Sequence, residues 1–287
     1  MALGQHIVLR LVDNRVIAPC AEKRRWVARA VLELARGDEL LAFGLADTHL
    51  HLVAACAREA AGQLARRVEI SLVQRLSLDV GFVAAYLKPV DEGRHLYRAF
   101  TYVLEQNTHH GLSWDPLHEA SNLPDLLGMR LLGIYTAATV RRRLPRVTRN
   151  DLLSCMGIDE LQPLEGPAEL VPAAARAAAG LTSLNGKSRE TVGARRAMVY
   201  LLRHLPPAEL SARLGVTVRT LRDLRRAPAD PRLVQAIRLQ LGLMQHRTEA
   251  LRGQQLPFEK PRSAIPCQAK SHALVAACGT ASTEPSA

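Results

Sequence analysis

Two short apolar segments, residues 40–46 and 49–55, flank the polar pair Asp47-Thr48, and this arrangement most limits the folds open to the chain. Each segment has the length and composition of a β-strand, and the pair between them fits a tight turn. The second segment contains His49 and His51, with leucines at the alternate positions. Because alternate residues of a strand point to the same face, both imidazoles would lie on one side of a sheet. The pattern therefore predicts a β-hairpin that presents two histidines together.

A tyrosine and a glutamine follow further along the chain, in the segment Tyr102-Val103-Leu104-Glu105-Gln106. Residues four apart are neighbours on a helix, so Tyr102 and Gln106 would share one face. Tyr97 is a rival phenol, but the residue four positions after it is Thr101, a poorer metal ligand than an amide. If the helix packs on the hairpin, two imidazole nitrogens and an amide oxygen could hold a divalent cation beside a phenol. Such a site is equipped for metal-assisted attack by tyrosine on a phosphodiester.

The period of the apolar residues changes several times before residue 110, which predicts alternating strands and helices. Strands are expected at residues 6–12, 40–46, 49–55 and 80–87, and helices at residues 22–36, 58–76 and 93–107. Lys88-Pro89 is expected to stop the last strand. This order predicts an α+β fold, a ferredoxin-like antiparallel sheet with its helices on one face.

Beyond residue 115 the pattern becomes helical. Residues 123–143 predict one or two helices, Thr148 precedes a capped helix start, and the alanine-rich residues 167–180 predict a helical spacer. The C-terminal residues are rich in Pro, Ser, Thr, Gln and Ala without a clear period, which is typical of disorder. We therefore expect four parts: an α+β domain over residues 1–115, a helical connector over residues 116–187, a helical module over residues 188–247, and a disordered tail over residues 248–287.

Residues 207–226 within the helical module have the pattern of a helix-turn-helix. Gly215 permits a left-handed turn, and Thr217 can cap the second helix. The leucines expected to anchor the two helices are Leu210, Leu214, Leu221 and Leu224. The side chains left to contact a major groove or phosphates are Arg219, Thr220, Arg222 and Arg226. The alternative is an ordinary helical hairpin.

The chain is strongly basic, with a formal net charge of +11 and an isoelectric point near 10.0. This charge favours a polyanionic partner, although charge alone does not separate nucleic acid from an acidic membrane surface. Residues 187–247 contain thirteen Lys and Arg against four Asp and Glu, and Arg141, Arg142 and Arg143 form a second basic cluster. With the helix-turn-helix pattern, this distribution predicts DNA as the partner. The alternative is a solvated, arginine-rich helical surface.

Other features of the sequence indicate a folded cytoplasmic protein. No apolar run reaches the roughly 18 residues that a membrane helix needs. The N-terminus lacks the pattern of a secretory signal, and the five cysteines include no Cys-x-x-Cys pair. We expect the cysteines to be reduced and unpaired.

Residues 5–130 resemble the single-tyrosine HUH transposases, particularly the branch of REP-associated tyrosine transposases. The likeness rests on the opening strand at residues 6–10, the His-hydrophobic-His strand, the spacing to Tyr102, and the trailing segments His110-Gly111-Leu112 and Asp115-Pro116. Members of that branch often carry an added helical DNA-binding segment, which residues 188–244 resemble.

This resemblance implies a cofactor, a reaction and partners. His49 and His51 would bind Mg²⁺ or Mn²⁺, with Gln106 as the third ligand. Tyr102 would attack a phosphate of single-stranded DNA, hairpin-forming repeats included, to give a 5′-phosphotyrosine link and a free 3′-OH. The family also implies a homodimer.

Two alternative functions stay open at this point. The chain could be a domesticated or inactive copy, a regulator that binds DNA through its C-terminal module alone. The segment Asp47-Thr48-His49-Leu50-His51 also resembles the first metal motif of amidohydrolase barrels. The histidines could otherwise be polar residues on a solvated strand face, and His109, His110 and His118 are expected on the surface of a loop.

Overall fold

The computed structural model describes residues 2–106 and 119–253. The described residues belong to one compact unit, and the predicted divisions after residues 115 and 187 both fall within its span. The predictions for His109, His110 and His118, for the trailing segments near them, and for residues 254–287 lie outside the described residues.

Four strands form one antiparallel sheet in the order β2-β3-β1-β4. Their bounds are β1 Gly4–Arg10, β2 Leu40–Ala46, β3 His49–Ala54 and β4 Tyr86–Val90. The predicted hairpin is confirmed: β2 and β3 are paired and joined by Asp47-Thr48, with Asp47 in the left-handed region at φ 56°. The α+β class and the antiparallel sheet are therefore confirmed.

Helices cover both faces of this sheet. Helices α1 (Ala21–Leu34) and α2 (Arg58–Leu76) share a core with Leu50 and Leu52, whereas α3 (Gly93–Leu104) shares a second core with Val53 on the opposite face. The prediction that the helices lie on one face was wrong. The reason is β2, which is buried along its whole length, because a strand that is apolar on both sides needs cover on both.

The position of the last strand also differs from the prediction. β4 begins at Tyr86 and continues through Lys88 and Pro89 to Val90, whereas the expected strand was residues 80–87. Proline is tolerated here because β4 lies at the edge of the sheet, where one row of backbone groups needs no partner. Val80 and Phe82 instead pack against the core of α1 and α2 as part of the connection.

The remaining described helices are α4 (Leu123–Leu126), α5 (Ile134–Arg143), α6 (Arg149–Cys155), α7 (Val171–Ala179), α8 (Arg189–Leu201), α9 (Pro207–Leu214), α10 (Val218–Arg226) and α11 (Pro231–Gly253). Of these, the first three (α4 to α6) share the second core with α3, and the last five (α7 to α11) form a third core. Thr148 forms the predicted cap of α6, as a capping box with Asp151. The alanine-rich α7 packs inside the third core with α8 and α11, and α11 continues past residue 247. Among the described helices, none combines the length and apolar content of a membrane span.

A buried ion pair organises the segment between residues 119 and 133. Asp125 is fully buried and Arg130 is 3% exposed, and the Arg130 Nε lies 3.1 and 3.0 Å from the two oxygens of the Asp125 carboxylate. The backbone N–H of Gly133 also donates to Asp125 Oδ1 at 2.7 Å. Within the same segment, the amide of Asn122 bonds to the backbone of β2, so the ion pair and this amide fix the outer edge of the sheet.

Candidate active site

The register of the sheet places three histidines on the face covered by α3. His51 of β3 lies opposite Val8 of β1, and His6 of β1 lies opposite Val53, two residues after His51. Paired residues of an antiparallel ladder share a face, so His6, His49 and His51 project from the same side. The convergence of His49 and His51 predicted from the sequence is confirmed, with their ring centroids 6.0 Å apart.

Each of the two predicted ligands has its Nδ1 held by a neighbour. His49 Nδ1 lies 2.8 Å from the hydroxyl of Thr48, and His51 Nδ1 lies 3.1 Å from Nε2 of His6. Histidines that bind metals usually have one ring nitrogen held in this way, which fixes the tautomer and leaves the other nitrogen for the metal. In both residues that other nitrogen is Nε2.

His6 is the residue that the sequence analysis missed. Burial, together with the charges of Lys88 and His95, lowers its pKa to about 4, so the ring is neutral at pH 7. A neutral imidazole has one donor and one acceptor nitrogen. The His6 Nε2 that contacts His51 is therefore a donor or an acceptor according to the tautomer of the ring. The sequence contains His6 in an expected strand, but its place beside His51 depends on which strands pair.

Tyr102 of α3 lies over these histidines. Its ring centroid is 5.9 Å from that of His51 and 6.1 Å from that of His6, with the rings close to perpendicular in both pairs. Its side chain is 37% exposed, so a ligand on the surface can reach it. The helix therefore packs beside the strand, with the phenol next to the imidazoles.

A glycine allows α3 to lie this close to the sheet. Gly44 of β2 is paired with His51, and a Cβ atom at Gly44 would lie 2.4 Å from the carbonyl oxygen of Val103, next to Tyr102. No side chain fits at that distance from a backbone atom. The absence of a side chain at residue 44 therefore sets the distance between the tyrosine and the histidines.

Gln106 lies beyond the end of α3. The helix stops at Leu104, with Glu105 as its C-cap, so the helical +4 spacing used in the sequence analysis does not extend to Gln106. The Gln106 amide nonetheless turns back, and its Nε2 donates to the carbonyl oxygen of Tyr102 at 3.2 Å. The side chain is 2% exposed, and its Oε1 has no hydrogen-bond partner among the described residues.

This donor set fits a divalent cation. Two imidazole nitrogens with held tautomers and a buried, unsatisfied amide oxygen are neutral ligands suited to Mn²⁺, and the amide oxygen also suits Mg²⁺. Within residues 2–106 and 119–253 no group of three or more His, Cys, Asp or Glu could hold a metal ion, and the Gln106 amide oxygen is a candidate ligand of another type.

The four residues of the helix-turn-helix pattern that were predicted to contact DNA lie on α10. Gly215 is in the left-handed region at φ 60°, and the Thr217 hydroxyl accepts from the backbone N–H of Thr220 at 3.2 Å, as predicted. All four predicted anchor leucines are buried in the third core. Three predicted contact residues of α10 are exposed, Arg219, Arg222 and Arg226, and Thr220 is half buried. Their role in binding DNA stays a prediction.

The second basic cluster has partners within the chain. Arg142 Nη2 lies 2.8 Å from Glu39 Oε1, and Arg143 Nε lies 2.8 Å from Glu39 Oε2. These contacts join the last turn of α5 to the start of β2. Arg141 lies in the same turn and is exposed. Two of the three arginines predicted to bind DNA therefore already bind a carboxylate of the chain.

No protein-family model, curated protein or solved structure matches this chain.

Proposed function

We propose that this chain is a metal-dependent, single-tyrosine DNA endonuclease and strand transferase of the HUH type. The observation that carries the proposal is the position of Tyr102 on α3, next to His51 and His6 of the sheet. The element order β1-α1-β2-β3-α2-β4 with the antiparallel strand order β4-β1-β3-β2 adds support, because it is the arrangement of a ferredoxin-like sandwich.

The proposed reaction is a transesterification in single-stranded DNA. The phenolic oxygen of Tyr102 forms a bond to phosphorus and loses its proton, and the bond from phosphorus to the 3′ oxygen breaks. The products are a 5′-phosphotyrosine and a DNA end whose 3′ oxygen has taken up a proton. Since the number of ester bonds is unchanged, the 3′ hydroxyl of the same or another strand can reverse the reaction, which makes rejoining possible without an external energy source.

The residues around Tyr102 have separate tasks in this proposal. Nε2 of His49, Nε2 of His51 and Oε1 of Gln106 would hold Mg²⁺ or Mn²⁺, and such a cation supplies charge neutralisation at the phosphate. Thr48 and His6 fix the orientation of the two imidazoles. The approach of α3 at Gly44 positions the phenol, and positioning is a large part of the rate enhancement of phosphoryl transfer.

The proposal is tested by incubating the full chain with labelled single-stranded oligonucleotides and Mn²⁺ and resolving protein–DNA adducts on a denaturing gel. We expect the His49→Ala and His51→Ala variants to form the adduct at least about 100-fold more slowly, because a lost ligand weakens the site that stabilises the transition state. Chelation of the metal should have the same effect on the parent chain.

The matched control is His204→Ala, which removes an exposed histidine from the connection between α8 and α9. This variant should form the adduct at the parent rate. Equal adduct formation by the His51→Ala and His204→Ala chains would contradict the metal site, and a parent chain that forms no adduct on any strand would contradict the enzyme.

The hydrogen bond between His6 and His51 makes a more specific prediction. His6→Phe keeps a ring but loses both nitrogens, and we expect it to weaken Mn²⁺ binding about 10- to 100-fold, as is usual for partners that orient a ligand. His6→Gln places an amide near the position of Nε2 and should retain part of the affinity. Calorimetric titration with Mn²⁺ measures both, without DNA. Equal affinities for His6→Phe and the parent chain would show that His6 does not orient His51.

The exposed basic face of α10 favours a second DNA contact in the same chain. We infer that Arg219, Arg222 and Arg226 bind duplex DNA or a hairpin stem, with Thr220 beside them at the start of the helix. If Tyr102 and the histidines prove inactive, this face would support the alternative function, a DNA-binding regulator. The amidohydrolase alternative requires an eight-stranded parallel barrel, whereas the described residues contain a four-stranded antiparallel sheet.

A further inference from the structure

Among the described residues, helices cover only part of the sheet face that carries the histidines. α3 lies over β2 and β3, where Val103 touches the backbone of Gly44. Val90 of β4 is buried in the core with α3, but the half of the face towards Tyr86 and Arg10 is open. There exposure rises across one row of paired residues: His51 is 6% exposed, Val8 is half buried, and Tyr86 is 62% exposed. Tyr102 lies at the boundary between the covered and the open half.

Three side chains on the open half have the chemistry to bind a single nucleic-acid strand. They are Tyr86, Lys88 and Arg10, which we name the strand strip, and all three are exposed. The register places Lys88 opposite His6 and Arg10 opposite His49, so the strip lies on the histidine face.

The orientation of β4 supports this assignment from the other side of the sheet. Leu87 packs against the core formed with α1 and α2, so its neighbours Tyr86 and Lys88 have to point the opposite way. The large exposed ring of Tyr86 therefore contributes little to the core. An exposed aromatic ring between cations is the usual surface on which unpaired bases stack.

We propose that the strand strip holds the single-stranded DNA next to the scissile phosphate, with a base stacked on Tyr86 and phosphates paired with Lys88 and Arg10. This inference rests on the proposed function, because Tyr102 fixes where the scissile phosphate lies. Tyr86 is two strands away from His51, roughly 10 Å between backbones, a distance that the nucleotides next to a phosphate held at the histidines can span.

The side of this open surface that α3 forms carries a positive charge, which suits the phosphates of DNA. Arg98 lies four residues before Tyr102 and is exposed, so it shares the helix face of the tyrosine. The strand would thus run between Arg98 on the helix and the strand strip on the sheet. Because stacking on an aromatic face accepts any base, the strip supplies affinity for unpaired DNA and leaves target selection to other contacts.

The test is fluorescence anisotropy with a fluorescein-labelled, mixed-sequence oligonucleotide, single-stranded or annealed into a duplex. The full chain carries Tyr102→Phe throughout, so that no DNA is cleaved. We expect Tyr86→Ala to weaken single-strand binding about tenfold or more and to leave duplex binding unchanged, whereas Tyr86→Trp should keep the single-strand affinity. The matched control is Tyr200→Ala, which removes an exposed tyrosine from α8.

A second variant tests the phosphate contact. Lys88→Gln should reduce the slope of log affinity against log salt by about 0.7 for single-stranded DNA, the effect of one lost phosphate contact. Equal single-strand affinities for the Tyr86→Ala and Tyr200→Ala chains, or an unchanged salt slope for Lys88→Gln, would overturn the proposal.

Adduct formation by chains that retain Tyr102 is measured in parallel and separates the two claims. Adduct formation together with binding that does not depend on Tyr86 would overturn the strand strip and leave the enzyme standing. Binding that depends on Tyr86 with no adduct would support the strip as a single-strand surface and overturn the enzyme.

Discussion

Replacement of Tyr102 by phenylalanine is expected to abolish the covalent protein–DNA adduct while the chain still folds and binds single-stranded DNA. The substitution removes one oxygen and keeps the ring that packs edge-on against His51 and His6. Since that oxygen is the proposed nucleophile, the loss should be complete, and no other group should replace it. The measurement is the denaturing gel described above, with anisotropy to show that binding is retained.

The matched control for this experiment is Tyr97→Phe. Tyr97 lies on the same helix, five residues earlier, and packs against the second core. If Tyr102 is the nucleophile, the Tyr97→Phe chain forms the adduct at the parent rate. An adduct formed by Tyr102→Phe and lost in Tyr97→Phe would transfer the role to the rival phenol, and an adduct retained by both would exclude either tyrosine as the attacking group.

Replacement of Asp125 by alanine is expected to lower the free energy of unfolding by about 3–5 kcal/mol, because it leaves the buried guanidinium of Arg130 without its carboxylate. That loss is a large fraction of the roughly 5–15 kcal/mol that stabilises a folded chain. The Asp125→Ala substitution should also weaken the contacts that residues 119–133 make with β2, the strand paired with the one that carries His49 and His51. Urea unfolding followed by circular dichroism measures the change.

Two further variants test the explanation for that loss. Asp223→Ala removes an exposed carboxylate that pairs with Arg226 at 3.2 Å, and an exposed pair of this kind contributes less than about 1 kcal/mol. The double variant Asp125→Ala with Arg130→Met removes both buried charges and should recover part of the stability. A double variant that is no more stable than Asp125→Ala would show that the unpaired charge is not the cause.

Local patterns predicted most of the elements near the site. The hairpin, the face shared by His49 and His51, and the extent of α2 follow from the spacing of apolar residues within each element, and the structure has them at the expected places. The cap at Thr148 follows from a side chain that bonds to the nearby backbone, and the turn at Gly215 follows from the absence of a Cβ atom, which permits the left-handed conformation. Information of this kind lies within a few residues of sequence.

What the sequence did not predict depends on contacts between distant segments. The pairing of β1 with β3 places His6 beside His51, and a strand pattern alone does not state its partner. The contact of Val103 with Gly44 brings α3 onto the face opposite α1 and α2, whereas the sequence pattern predicted all helices on one face. Glu39 binds Arg142 and Arg143 across a separation of about a hundred residues, so a basic cluster expected to contact DNA partly serves the fold.

The most direct test of the central claim is to find the amino acid that carries the DNA. Trypsin cleaves after Arg98 and Arg130, and the peptide of residues 99–130 contains Tyr102 as its sole tyrosine, whereas Tyr97 falls in the preceding peptide. After reaction with single-stranded DNA and Mn²⁺, nuclease trimming and mass spectrometry should find a nucleotide joined through its 5′ phosphate to Tyr102. A nucleotide on any other residue, or DNA that is cleaved without becoming attached to the protein, would contradict the account.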